Sequence, residues 1–304
     1  MNARFNLLRR SGKRRAGRGE KGLSLIELMI SMVIGLVVVG AVIVSIVGTS
    51  VTGRYQSAFG QMNEDAQIAL GLLKREIELA GYSQPTSLIP DPLIPLTNQV
   101  LNFANLPVAN EILGCDRGFV NVNAAVAACL PNGSPGTPSF LVGYEADAGN
   151  TQLAGVAPGV PSDCLGNAVA VGPPFLTSNR YFVSTTASGR PELRCASQGT
   201  TQPLVENIES MRIFYGMSVP ANPTQVVRYV TPDQILLAQW PNVISARICL
   251  IVRSAEPVLN GEENASNLLL AQYLDCDLAP QTSADRFLRR AYFTTATIRN
   301  RMPM

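Results

Sequence analysis

Glu27 is a carboxylate at the start of a long uncharged segment, because residues 28–53 contain no Asp, Glu, Lys or Arg. A charged side chain costs about 2–3 kcal/mol at the centre of a bilayer and less near its surface, so a carboxylate here indicates a function. If the chain is cut after Gly22, the new α-amino group of Leu23 lies one helical turn from Glu27. Paired between neighbouring chains, the amine and the carboxylate would neutralise each other.

The uncharged segment is long enough to cross a membrane. As a helix, residues 28–53 would extend about 39 Å, more than the ~30 Å hydrocarbon core. Residues 1–22 hold eight of the 24 Lys and Arg and one of the 22 acidic residues. This basic flank predicts a cytoplasmic N-terminus and a remainder outside the inner membrane. The apolar stretch exceeds the ~7–15 residues of a secretory signal peptide, whereas a plain signal anchor stays an alternative.

The run KGLSLIELMISMVIGLVVVG resembles the class III signal of type IV pilins and pseudopilins. That signal has a basic leader ending in glycine, then an apolar residue and a glutamate four positions further on. Gly22, Leu23 and Glu27 match these positions, although the family usually has phenylalanine where this chain has Leu23. The resemblance implies that prepilin peptidase cuts between Gly22 and Leu23 and methylates the new amine.

The composition argues against several other functions. The chain has no histidine, which removes the commonest general base and zinc ligand. The part after residue 22 has a net negative charge, unlike a nucleic-acid-binding domain. The acidic clusters Glu262–Glu263 and Asp275–Asp277 lack the ligand spacing of a calcium loop. We therefore expect no catalytic residue, no metal site, no cofactor and no nucleic-acid partner.

An even set of cysteines, scattered and without a CxxC spacing, predicts disulfides in a translocated domain. Six cysteines allow fifteen complete pairings. Joining neighbours in sequence would give Cys115–Cys129, Cys164–Cys195 and Cys249–Cys276, each worth ~3 kcal/mol on the chain-entropy model. The six residues are Cys115, Cys129, Cys164, Cys195, Cys249 and Cys276.

A single helix is predicted from about Leu23 to Ala80, followed by Gly81 at the position after its end. Its second half is amphipathic, with apolar residues at near-helical spacing. Small residues four apart in its first half would let helices approach closely. The apolar residues are Ile68, Leu72, Leu73, Ile77 and Leu79/Ala80; the small ones are Ser31/Gly35 and Ala41/Ser45/Thr49.

Beyond the helix we expect long loops over residues 82–140 and then strands separated by turns. In the predicted strand VISARICLIVRS, alternate residues from Arg247 onward share one face. The apolar residues of the opposite face also alternate, but Val243 is out of phase with them. QILLAQW predicts a short helix. The strand-like pieces are SFLVGYEA, NAVAVG, RYFVSTT, PELRCAS, IESMRIFYGM, VVRYV, VISARICLIVRS and RRAYFTTATIRN.

These elements predict an α+β fold in which a long N-terminal transmembrane helix packs on a mainly antiparallel β-sheet domain. The corresponding boundaries are a leader at 1–22, the helix at 23–81 with its transmembrane part at 28–53, and a periplasmic β-rich domain at 82–304.

The AGY at the helix end, LVENIESMRIFYG, WPNVISARICLIVRS and the terminal DRFLRRAYFTTATIRNR resemble the PilW-type minor pilins. The resemblance implies a structural subunit, not an enzyme, that helps to start type IV pilus assembly at or near the filament tip. Its implied partners are prepilin peptidase, other minor pilins, the major pilin and the inner-membrane assembly platform, and twitching motility would follow indirectly. The alternatives are a J-class pseudopilin of type II secretion and a signal-anchored periplasmic binding module.

The C-terminal arginines leave two interpretations open. They are either a surface for an acidic partner or the solvated face of a strand. The group consists of Arg286, Arg289, Arg290, Arg299 and Arg301.

Overall fold

The computed structural model describes residues 22, 24–84, 111–155, 159–169, 171–258, 272–283 and 285–301. The predictions for residues 1–21, Leu23 and Glu262–Glu263, and for residues 85–110 of the loop expected at 82–140, lie outside them. The chain divides into two compact units, Met1–Gly53 and Arg54–Met304.

The helix α1 spans Leu25–Leu79. It ends in a tight turn, in which the amide of Tyr82 donates to the carbonyl of Leu79 at 2.9 Å. Gly81 follows with a φ of +73°, a left-handed conformation that glycine adopts without strain. A side chain there would also come within 2.9 Å of the Glu111 side chain. The predicted glycine after the helix therefore stands where both conformation and space require it.

One stripe of the second half of α1 enters the core, and its spacing of three to four residues is that of a helix face. The prediction that Ile68 belongs to this stripe is wrong, because Ile68 is 53% exposed. Two alanines, which carry little apolar signal in a sequence, take the central positions instead. The buried residues of the stripe are Met62, Ala66, Ala69, Leu73, Ile77 and Ala80.

The described strands form antiparallel sheets. The strands are β1 (Ile112–Cys115), β2 (Ser139–Glu145), β3 (Leu153–Ala154), β4 (Val160–Pro161), β5 (Leu176–Thr185), β6 (Pro191–Ser197), β7 (Thr200–Glu206), β8 (Ile208–Met217), β9 (Arg228–Val230), β10 (Val243–Arg253), β11 (Gln272–Leu274), β12 (Pro280–Thr282) and β13 (Arg289–Thr297). One sheet has the order β1-β2-β5-β6-β7, a second has the order β13-β10-β8-β9, and two short hairpins pair β3 with β4 and β11 with β12. The predicted α+β class, a long helix with antiparallel sheets, is confirmed.

Strand β10 runs through the middle of the four-stranded sheet and explains the irregular alternation of its sequence. Its pairing with β8 shifts register between Val243 and Ser245. This bulge brings Val243 into the same core cluster as Ile248, Leu250 and Val252 despite its odd spacing. On the other face, Cys249 packs in a second, small apolar cluster.

Two local predictions differ from the structure. The segment NAVAVG is predicted to be a strand, but its described residues form only an isolated β-bridge, at Ala168. QILLAQW is not an α-helix but belongs to two 3-10 segments, Pro232–Gln234 and Leu237–Asn242. Pro232 and Pro241 restrict the backbone too closely for a longer helix to form.

Strand β7, with proline at position 203, lies at the edge of its sheet, where a missing backbone donor is tolerated.

Candidate functional site

Glu27 lies in the first turn of α1. The first helical hydrogen bond runs from the amide of Leu28 to the carbonyl of Ser24 at 3.1 Å, so the helix begins immediately after Ser24. The unpaired amides of a helix N-terminus favour a nearby negative charge. Gly22 precedes the helix, and Leu23 lies outside the described residues. Cleavage at this position and pairing of Glu27 with an amine stay predictions.

The side chains that follow Glu27 form a continuous apolar surface. From Leu25 to Ile46 the large apolar residues are between 49% and 77% exposed. Hydroxyl groups in this half of α1 donate to helix carbonyls, as Ser31 does to Leu28 and Thr49 does to Ser45. Such bonds satisfy polar groups without water. Among the described residues, α1 is the helix long and apolar enough to cross a membrane, which together with the signal motif indicates membrane anchoring.

The C-terminal segment is bound to the second half of α1. The hydroxyl of Tyr292 donates to Asn63 at 2.7 Å. The side-chain amide of Asn300 donates to the carbonyls of Ala80 and Glu78, at 3.1 and 3.4 Å. Helix ends leave such carbonyls without partners of their own, so Asn300 acts as a cap from a distant part of the chain.

Arg301 completes this junction. Its guanidinium bonds the carboxylate of Glu111 at 2.6 Å, and it also donates to the carbonyls of Trp240 and Val243. The side chain is 9% exposed. Arg301 therefore belongs neither to a surface for an acidic partner nor to the solvated face of a strand. Its buried side chain joins the C-terminal segment to β10.

Arg289 also forms an internal ion-pair network. It bonds Glu209 at 2.7 Å and Asp285 at 2.6 Å, and its side chain is 8% exposed. The bond from Arg289 holds the pKa of Asp285 well below its usual range, and the same partner raises the pKa of Arg289. The other described members of the group stay at the surface: Arg299 lies 3.8 Å from Glu78, and Arg290 stacks on Tyr292.

A carboxyl group that the sequence analysis did not single out lies between α1 and the five-stranded sheet. Glu76 accepts a bond from the side-chain amide of Asn179 at 3.1 Å and lies 3.4 Å from the Tyr144 hydroxyl. Burial raises the pKa of Glu76, and the bonds from its neighbours oppose that shift only in part. The sequence does carry one signal that could have identified Glu76, which is its position within the apolar stripe of α1, between Leu73 and Ile77.

The three disulfides are the neighbour-to-neighbour pairs of the sequence analysis. Cys115–Cys129 closes the excursion after β1, Cys164–Cys195 joins the segment after β4 to β6, and Cys249–Cys276 fastens the β11–β12 hairpin to β10. Each bond thus holds a loop against a sheet strand.

The acidic cluster at Asp275–Asp277 shapes a turn. The Asp275 carboxylate accepts bonds from the amides of Asp277 and Ala279, and Asp277 forms an ion pair with Arg212 at 2.6 Å. Within the described ranges, no three acidic or cysteine side chains converge as a metal site would require.

Comparison with known proteins gives two family matches. A family model described as Type IV Pilus-assembly protein W matches residues 180–300, and one described as the prokaryotic N-terminal methylation motif matches residues 17–50. No curated protein matches the chain. A solved structure, a type IV-like pilin from Thermus thermophilus, is 12% identical, with a TM-score of 0.35 over 79% of this chain and 97% of that one.

Proposed function

Because this chain is a type IV pilin-like protein with a PilW region, we propose that it is a minor pilin that helps to initiate assembly of the type IV pilus. Its role is structural, not catalytic. The observation that carries the proposal is the combination of the methylation motif, with Glu27 at the start of an exposed apolar helix, and the PilW region in one chain.

The exposed apolar half of α1 supports membrane and filament insertion. An apolar surface of this extent requires lipid or other apolar helices around it, as both the membrane and the core of a helical filament would supply. The same surface therefore suits the chain before and after assembly.

Glu27 would guide the subunit into the growing filament. A cleaved neighbour would present a positively charged amine at Leu23, and the apolar surroundings strengthen its attraction to the carboxylate. Pairing removes two isolated charges from an apolar environment, so it fixes the depth at which one subunit meets the next.

The proposed organisation follows from cleavage after Gly22. Residues 1–22 form the cytoplasmic leader, residues 23–81 the helix with its transmembrane part at 28–53, and residues 82–304 the periplasmic domain of a single-pass inner-membrane protein. Prepilin peptidase, other minor pilins, the major pilin and the assembly platform are the proposed partners, and the place of the subunit is at or near the filament tip.

The first experiment is intact-mass and N-terminal analysis of the protein from membranes with and without prepilin peptidase. We expect a new N-terminus at Leu23 carrying one methyl group. Retention of residues 1–22 in cells with active peptidase would contradict the proposal and leave a signal-anchored periplasmic binding module.

A second experiment separates assembly from processing. Glu27→Gln should still be cleaved but should fail to cross-link to other minor pilins and should reduce the number of surface pili. The matched control is Glu64→Gln, an exposed glutamate of the same helix. Normal pili with Glu27→Gln would refute the role of Glu27. If cells that carry Glu27→Gln make normal pili but lose type II secretion, the chain is instead a pseudopilin.

A further inference from the structure

A pocket of about 330 Å³ lies on the five-stranded sheet. It is enclosed by segment 122–125, by Ser178 and Arg180 of β5, and by residues 196–199 at the turn from β6 to β7. Arg180 pairs across the sheet with Leu141 and Ala196, so these side chains share a face. Asn179, the partner of Glu76, alternates to the opposite face. The pocket is therefore separated by the sheet from the packing of α1.

Arg180 is the charged group of this pocket, and it is only 5% exposed. Its terminal nitrogens donate to the carbonyls of Val122 and Ala125, and its guanidinium lies 5.9 Å from the centre of the Phe119 ring. In the described part of the chain no carboxylate pairs with it, and its Nε has no hydrogen-bond partner. A buried charge without a counter-charge destabilises a fold.

The other polar groups of the pocket do not supply the missing negative charge. Ser197 follows Ala196 along β6, so its hydroxyl turns to the face of the sheet opposite Arg180. Asp163 receives a bond from Gln198 at 2.9 Å, but it also accepts the amides of Leu165 and Asn167 at 2.9 and 3.0 Å. Its carboxylate is thus committed to the loop that it shapes. Burial lowers the pKa of Arg180, as expected for a cation with no anion beside it in the described part of the chain.

We propose that this pocket binds a carboxylate, with Arg180 as the counter-charge. A guanidinium and a carboxylate match in geometry and form charge-assisted bonds. The volume accommodates a small organic acid or one acidic side chain. Because the Nε of Arg180 is covered, a small rotation of this side chain accompanies binding.

The test uses the full-length chain in detergent, titrated with sodium succinate in a calorimeter against sodium chloride at equal ionic strength. We expect saturable binding with succinate alone and a rise in unfolding temperature. Arg180→Gln should weaken binding at least about tenfold, because it removes a charge-assisted bond. N-acetylglutamate methylamide, whose carboxylate is flanked by peptide groups, identifies the source: tighter binding than succinate indicates a protein side chain, and weaker binding indicates a small acid.

Arg180 also holds segment 122–125, so its replacement could act through the loop. A second variant, Ser178→Glu, places a carboxylate on the lining of the pocket itself. It should raise the unfolding temperature and abolish the succinate response, whereas Ser57→Glu, which adds the same charge to an exposed position of α1, should do neither. Absence of saturable succinate binding, together with no gain from Ser178→Glu, would overturn the proposal.

Discussion

The side-chain amide of Asn300 lies 3.1 Å from the carbonyl oxygen of Ala80, a residue 220 positions earlier in the sequence. With the bond from Tyr292 to Asn63, it fastens the C-terminal strand and the turn after it to α1. The last part of the PilW region therefore has a structural role, because it attaches the C-terminal segment to α1.

Asn300→Ala should lower the free energy of unfolding by about 1 kcal/mol, because it leaves helix-end carbonyls without this donor. Urea unfolding of the detergent-solubilised chain measures the change through the fluorescence of Trp240, the single tryptophan, which is 2% exposed. Gln202→Ala, at an exposed edge position, is the control. Equal stability of the two variants would show that Asn300 does not act as a cap.

Removing Arg301 should be more harmful than removing its partner. Arg301→Met takes away the bonds to Glu111 and to two carbonyls, and should cost about 3 kcal/mol. Glu111→Gln leaves the carbonyl bonds in place and should cost about 1 kcal/mol. Urea unfolding of both single variants and of the double variant gives the coupling energy between the side chains. A coupling energy near zero would contradict the buried ion pair.

Glu76 should make the fold less stable as the pH rises. Burial raises the pKa of Glu76 above the value of 4.5 that it has in an exposed chain. Between the unfolded and the folded pKa, the folded state therefore binds more protons than the unfolded state. The stabilisation is fully present below the unfolded pKa and is lost as the pH rises through the folded pKa. Unfolding free energies measured between about pH 4 and 8 should therefore fall less in Glu76→Gln than in the parent.

The control for Glu76 is Glu64→Gln, which removes a glutamate from the exposed side of the same helix. Parallel pH profiles for the parent and Glu76→Gln would mean that Glu76 is not desolvated in the folded protein. Replacing Asn179 by Ala in a further variant should steepen the fall, since it removes the bond that favours the charged carboxylate.

Two glycines should respond to alanine in opposite directions. A Cβ at Gly71, on the exposed side of α1, would have nothing within 4 Å, so Gly71→Ala should stabilise the helix by about 0.5–1 kcal/mol. A Cβ at Gly114 would lie 2.3 Å from the hydroxyl of the fully buried Tyr215. Gly114→Ala should cost about 1–3 kcal/mol. The same unfolding assay compares them, and a shift of equal sign would be inconsistent with the packing around Tyr215.

Local patterns in the sequence predicted much of the secondary structure. The apolar run and Gly81 indicated α1, and alternating apolar residues indicated β5, β8, β10 and β13, because periodicity reports how a segment is solvated along its own length. The order of strands in the two sheets could not be read this way. It depends on pairings between distant segments, such as Arg247 with Thr295, which no local pattern specifies.

The sequence by itself determined that a carboxylate, Glu27, stands at the start of a long uncharged segment, since charge and apolarity are read directly from residue types. Tertiary structure decided which side chains are buried. Ala66 and Ala69 enter the core while Ile68 does not, because the two alanines lie on the helix face that packs into the core cluster. It also decided that Arg289 and Arg301 are internal and that Arg180 has no counter-charge among the described residues. Charge and apolarity belong to a residue, whereas burial and pairing depend on neighbours as far as 229 positions away in the sequence.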